Sequence, residues 1–196
     1  MASINGISIK NLKEFVGHEG YCCQGNIWDG KTKLGFWSQD SWGGPDDYEG
    51  DSEKIIQVKA KALQRGFDKK RYKDPIMYDV LSGPDVFMGF VATLHDIEKM
   101  FKDVTKGIAP GVVFTVLFFK LKNGNMYAYR TGGVVNSLAD LPARTLEDIE
   151  KRLGTKEYLF WVARWLSDFD IQVDENHPAP EYLYDEMYCT MGGVDA

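Results

Sequence analysis

The chain is poor in the residues that most often announce a function. Its 196 residues include three cysteines and three histidines. An odd cysteine total, with Cys22 and Cys23 adjacent and Cys189 far away, does not make a disulfide framework. Reduced thiols and a cytoplasmic setting are therefore expected. The histidines His18, His95 and His177 are scattered, with no His-Glu-x-x-His helix and no paired-cysteine motif for zinc. A Walker-type phosphate loop, a Rossmann glycine fingerprint and a Gly-x-Ser-x-Gly elbow are all missing. The longest nearly uninterrupted apolar run, Gly111 to Phe119, is too short for a membrane-spanning helix. Met1-Ala2-Ser3-Ile4-Asn5 has no charged n-region leading into an apolar h-region, so secretion is not expected either. A basic excess is also absent: the formal net charge is -6 and the pI near 5.1, which argues against a general nucleic-acid binder.

What is present is enough to fold. The apolar fraction of 44% and aromatic content of 13% can bury a core, so disorder is not the default. The expected fold is α+β, with two antiparallel β-hairpins forming sheets packed against amphipathic helices. The length suits one compact domain, with two halves (1–70 and 75–196) sharing a core as a variant. Gln24–Trp28 and Lys33–Trp37 flank Asp29-Gly30, a pair suited to a tight turn. Val112–Leu121 and Asn125–Arg130 flank Asn123-Gly124, and the first arm is apolar on both faces like a central strand. Asn11–Val16 reads as a helical turn. Ser52–Gln64 reads as a helix ended by Gly66, and Ser82-Gly83-Pro84 opens a second helix reaching Gly107. Thr145 with Asp148 caps a short helix to Gly154, and Lys156–Ser167 reads as a largely buried helix. The order helix, hairpin, Gly-Gly occurs twice, around Gly43-Gly44 and Gly132-Gly133, a faint echo of duplication.

The chemical constellations are thin. Cys22 or Cys23 near His18 is the pairing that makes a thiolate, but small side chains at a strand start are the plainer reading. Asp168, Asp170 and Asp174 offer carboxylates to magnesium, although acids after a helix more often face solvent. Pro45-Asp46 followed by Gln57-Val58-Lys59 echoes nucleases in which carboxylates hold magnesium and a lysine positions water. Gln57 occupies the central acidic position and removes a ligand charge. No catalytic residue, metal or cofactor is assigned.

Charge, by contrast, is segregated. Asp40 to Glu53 holds six acids and no base, and Lys54 to Lys73 holds eight bases opposed only by Asp68. From Trp165 onward there are eight acids and no lysine or arginine, interleaved with Phe169, Tyr182, Tyr184 and Tyr188. Such surfaces suit electrostatic docking, although ordinary surface patterning gives the same pattern. The candidate binding residues are Trp42, Asp46, Asp47, Glu49, Asp51, Lys59, Lys61 and Arg65.

The N-terminal quarter carries a resemblance. Ile9-Lys10-Asn11-Leu12-Lys13, Gly17-His18-Glu19-Gly20, Gln24-Gly25-Asn26-Ile27-Trp28 and the stretch from Gly35 to Asp46 are similar to small proteins of phages and mobile elements in Gram-positive bacteria. That group includes inhibitors of type II CRISPR nucleases. The resemblance implies an anti-defence protein that binds the effector nuclease, with or without guide RNA, and blocks it at a basic nucleic-acid channel. The residues leave two alternatives: a magnesium-dependent nuclease or nucleic-acid processing factor, and a non-enzymatic accessory protein of a mobile element.

Overall fold

The structure, a computed structural model, describes residues 1–184 except 19, 41 and 73. The chain divides into two compact units. One comprises Met1–Asp96 and the return from Phe169 onward, and the other Ile97–Asp168. The first division falls within a helix, and the polar stretch from Gly66 to Pro75 lies inside the first unit. The fold is α+β, as the patterning indicates.

The first unit is built on a six-stranded sheet. Its strands are β1 (Ser3–Ile4), β2 (Ile7–Gly17), β3 (Gly20–Asp29), β4 (Thr32–Ser38), β5 (Asp47–Tyr48) and β9 (Asp170–Ile171), in the order β5-β4-β3-β2-β1-β9. All pairings are antiparallel except β1 with β9. Asn11–Val16 is strand rather than helix, because it continues the β2 ladder opposite β3 past a bulge between Lys10 and Lys13. Asn11 absorbs that bulge with a left-handed φ of 56°, which asparagine tolerates better than most residues. With a strand in that place, the duplicated helix–hairpin order loses its first member.

Two turns fasten this sheet. Asn5 and Gly6, both at positive φ, join β1 to β2 with Ile4 opposite Ile7, the backbone signature of a type I′ turn. Asn5 is 4% exposed. Its side-chain amide donates to Val173 O at 2.9 Å and its Oδ1 accepts from Val173 N at 2.7 Å. The returning C-terminal segment is thus bonded to the first turn of the chain. The β3–β4 hairpin forms at the expected place, with Asp29 opposite Thr32 and Gly30 at φ 54°.

Helix α1 (Ser52–Arg65) buries Ser52, Ile56, Ala60 and Leu63, the i, i+4, i+8, i+11 stripe of an amphipathic helix, and contacts β4. Helix α2 (Pro75–Val80) opens with Asp74 accepting from Ile76 N at 2.9 Å and proline in its first turn. Helix α3 (Pro84–Thr105) runs unbroken through Thr93 and Asp96. Its Phe87, Met88, Phe90, Val91 and Leu94 are buried.

In the second unit, β6 (Phe114–Leu121) lies between β7 (Met126–Gly132) and β8 (Tyr158–Ala163) in an antiparallel sheet. Thr115 through Lys120 are all buried, so β6 is central and covered on both faces, as its apolar run indicates. The helix expected over Lys156–Ser167 is instead β8 followed by a 3-10 turn, Leu166–Phe169. Tyr158-Leu159-Phe160-Trp161-Val162 is short, aromatic and β-branched, and it satisfies the second edge of β6 residue for residue. A run with no polar face does not distinguish a buried helix from a strand, and here sheet pairing decides. Helix α4 (Ala143–Leu153) starts two residues before Thr145, with Pro142 rather than Thr145 at its N-cap, and ends at a left-handed Gly154. Ile149 joins Leu117, Phe119, Val135 and Leu141 in the core of this unit.

Candidate functional site

The acidic loop between β4 and α1 is held from inside. Asp40 folds its first turn, accepting from Trp42 N at 3.3 Å and Gly44 N at 2.7 Å. Asp46 turns inward, where its Oδ2 accepts from the indole of the fully buried Trp37 at 2.7 Å. Its own N–H donates to Asp85 Oδ2 at 3.3 Å, and the Tyr48 hydroxyl donates to Asp85 Oδ1 at 3.0 Å. Asp85 sits in the first turn of α3, where a carboxylate is favoured by the helix dipole. Burial pushes the Asp46 carboxyl up to about 6. The Trp37 bond and the Asp40 backbone oppose this, and Asp85 and Asp47 add to it. The same burial, with Asp85 and Asp46 close by, pushes the Tyr48 phenol well above its ordinary value.

Outward from this clasp the loop presents its other groups to water. Trp42 is 67% exposed, yet it is placed: its ring stacks on His18 with centroids 4.0 Å apart. His18 lies in the β2–β3 turn, and the outer part of that hairpin, from Lys13 to Cys23, extends past the last residue of β4 paired to it. Gln39 ties loop to hairpin, its Oε1 accepting from Cys23 N at 2.8 Å and its N–H donating to Cys23 O at 2.9 Å. Asp47, Glu49 and Asp51 are exposed. Gly35 passes close under the loop, and a Cβ there would lie 2.7 Å from Glu49 O.

The candidate residues therefore separate. Trp42, Asp47, Glu49 and Asp51 belong to one exposed loop, with Asp46 as its internal fastener. Lys59 is directed elsewhere, donating to Asn5 O at 2.7 Å and lying 3.6 Å from Asp29. Lys61 is exposed on α1. Arg65 pairs with Glu175, and Arg71 makes a two-pronged bond to Glu181 at 2.8 and 3.0 Å while lying over the Tyr184 ring. Part of the basic run is thus neutralised by the acidic C-terminal segment of the same chain. Tyr188, Cys189 and the last acids, with Ser41 and Lys73, lie outside the described residues.

The nuclease-like pattern does not assemble. Gln57 and Lys59 stand on a helix, two residues apart and so on different faces. Gln57 donates to Ser82 O at 2.6 Å, and Asp46 is engaged by Trp37. The thiol pairing does not assemble either. Cys22 is buried, His18 is stacked on Trp42, and burial reinforced by Asp96 and Glu14 pushes the Cys23 thiol up to about 11, away from thiolate. Asp168 accepts from the N–H groups of Arg164 and Trp165, Asp170 from Ser3, and Asp174 from Asn176 and His177. Among the described residues no cluster of three or more His, Cys, Asp or Glu is arranged to hold a metal ion, and no helix is long and apolar enough to cross a membrane.

Asp85, Tyr48 and the stacking role of His18 were not legible in the sequence. Asp85 lies 39 positions from Asp46, and no local spacing marks that pairing. No protein-family model, curated protein or solved structure matches the chain.

Proposed function

We propose that this protein acts by binding rather than by chemistry, docking the Trp42 loop and the adjoining hairpin onto a basic partner surface. The observation that carries the reading is the loop's construction. An exposed tryptophan and three exposed acids, Asp47, Glu49 and Asp51, stand on a frame already fixed by Asp40, Asp46 and Trp37. Fixing the loop beforehand lowers the ordering cost of association, and a placed aromatic beside acids suits a binding hot spot. The partner class follows from the N-terminal resemblance: the basic nucleic-acid channel of a type II CRISPR effector nuclease, making the protein an anti-defence inhibitor. The net charge of -6 fits a competitor for such a channel.

The test is co-elution with type II effectors, with and without guide RNA, followed by a DNA-cleavage assay. Binding with loss of cleavage supports the reading, and neither effect across several effectors removes it. The combined D47K, E49K and D51K variant should weaken binding more than about tenfold and flatten its salt dependence. Trp42→Ala should weaken binding while leaving the melting temperature unchanged.

A further inference from the structure

A different surface, in the second unit, is built for the opposite charge. Strand β7 pairs with β6 on one side, and no strand among the described residues pairs with its other side. The ladder fixes which groups face that free edge. Leu121 N donates to Asn125 O and Gly133 N to Val113 O. Odd-numbered residues of β7 therefore bond towards β6, while Met126, Ala128, Arg130 and Gly132 direct their backbone N–H and C=O outward. Sheet edges left open are commonly guarded by lysine, proline or a bulge. Met126–Gly132 has no lysine, proline or bulge, and Arg130 is its one charged residue.

Beside the end of this edge lies a groove of about 550 Å³ between β7 and the loop that follows α3. Lys106 and Arg130 line it, together with Val112 and Val113, and no acid does. Val112 and Val113 are 52% and 58% exposed. Arg130 is exposed and held by one bond to Val104 O at 3.2 Å, which leaves guanidinium N–H groups for a carboxylate. Among the described residues neither Lys106 nor Arg130 is paired with an acid, in a chain of net charge -6.

We propose that the free edge of β7 and this groove form a docking site for an extended acidic peptide. The peptide adds as a fourth strand beyond β7, bonding the outward backbone groups of Ala128, Arg130 and Gly132. Its carboxylates meet Lys106 and Arg130, and an aliphatic side chain covers Val112 and Val113. The site lies wholly within the second unit, so its success or failure leaves the Trp42 loop untested and unaffected.

The experiment measures fluorescence anisotropy of labelled Asp-Val-Glu-Val-Asp against the full chain, with Lys-Val-Lys-Val-Lys as the control. The acidic peptide should bind and the basic one should not. Binding should fall more than about tenfold in K106E/R130E, the equivalent of ~1.4 kcal/mol. The same acidic peptide N-methylated at alternate residues should also lose binding, a readout that needs no protein variant. Absence of acidic-peptide binding at millimolar concentration overturns the proposal. So does binding indifferent to N-methylation, or binding that survives charge reversal of both cations in a folded variant.

Discussion

Replacing Asp46 by asparagine should make the protein more stable at neutral pH and no more stable in acid. The carboxyl titrates near 3.8 when the chain is unfolded and at about 6 in the folded protein. Between those values the folded state holds the proton that the unfolded state has released, so stability falls as pH rises through the window. The penalty is absent below 3.8 and complete above about 6. The interval between the two values, at ~1.36 kcal/mol per pH unit, bounds it at about 3 kcal/mol. Asp46 is only part-buried, and solvent screening reduces this towards ~1.5 kcal/mol. Asparagine keeps an oxygen to accept the Trp37 indole and removes the charge that faces Asp85. Urea unfolding of both proteins at pH 4, 5, 6, 7 and 8 measures the difference directly. The gain of Asp46→Asn over the parent should grow from pH 4 to pH 7 by ~1.5–3 kcal/mol and then level off. At pH 7.5 that corresponds to a melting temperature higher by roughly 3–12 °C for a chain of this size. A difference that does not change with pH would refute the reasoning, because the Asp46 carboxyl would then have the same affinity for protons in both states.

Other substitutions probe the frame. Asn5→Ala removes both side-chain bonds to Val173 and places a Cβ residue without a compensating amide at φ 52°; a loss of ~3–5 kcal/mol is expected by chemical denaturation. Gly35→Ala forces a Cβ to within 2.7 Å of the Glu49 carbonyl, so it should cost ~1–3 kcal/mol and weaken partner binding through the displaced loop. Glu181→Gln breaks a two-pronged but exposed pair with Arg71, and a double-mutant cycle with Arg71→Ala should return a coupling near zero.

Local chemistry was enough to place several elements. Asp29-Gly30 and Asn123-Gly124 mark their hairpins, because only a few residues accept the backbone that a tight turn needs. The stripe from Phe87 to Phe101 marks α3, because helical periodicity repeats within a few residues. The apolar run Val116–Phe119 marks a strand covered on both faces. Asn5-Gly6 carries the same turn signal, but the two-residue strand before it is too short to show the alternation that would mark a hairpin.

Tertiary pairing decided what local pattern left open. Asn11–Val16 and Tyr158–Ala163 became strands because β3 and β6 offered unpaired backbone alongside them, a fact held in no short window of sequence. The charge blocks were visible as blocks. That Arg65 and Arg71 would be met by Glu175 and Glu181, while Asp47, Glu49 and Asp51 remained in water, depended on the chain returning from Phe169 to the first unit. Asp46 shows the division most clearly. Composition made it one acid among six, and only the fold set it against Trp37 and Asp85, where burial and a neighbouring carboxylate change its chemistry.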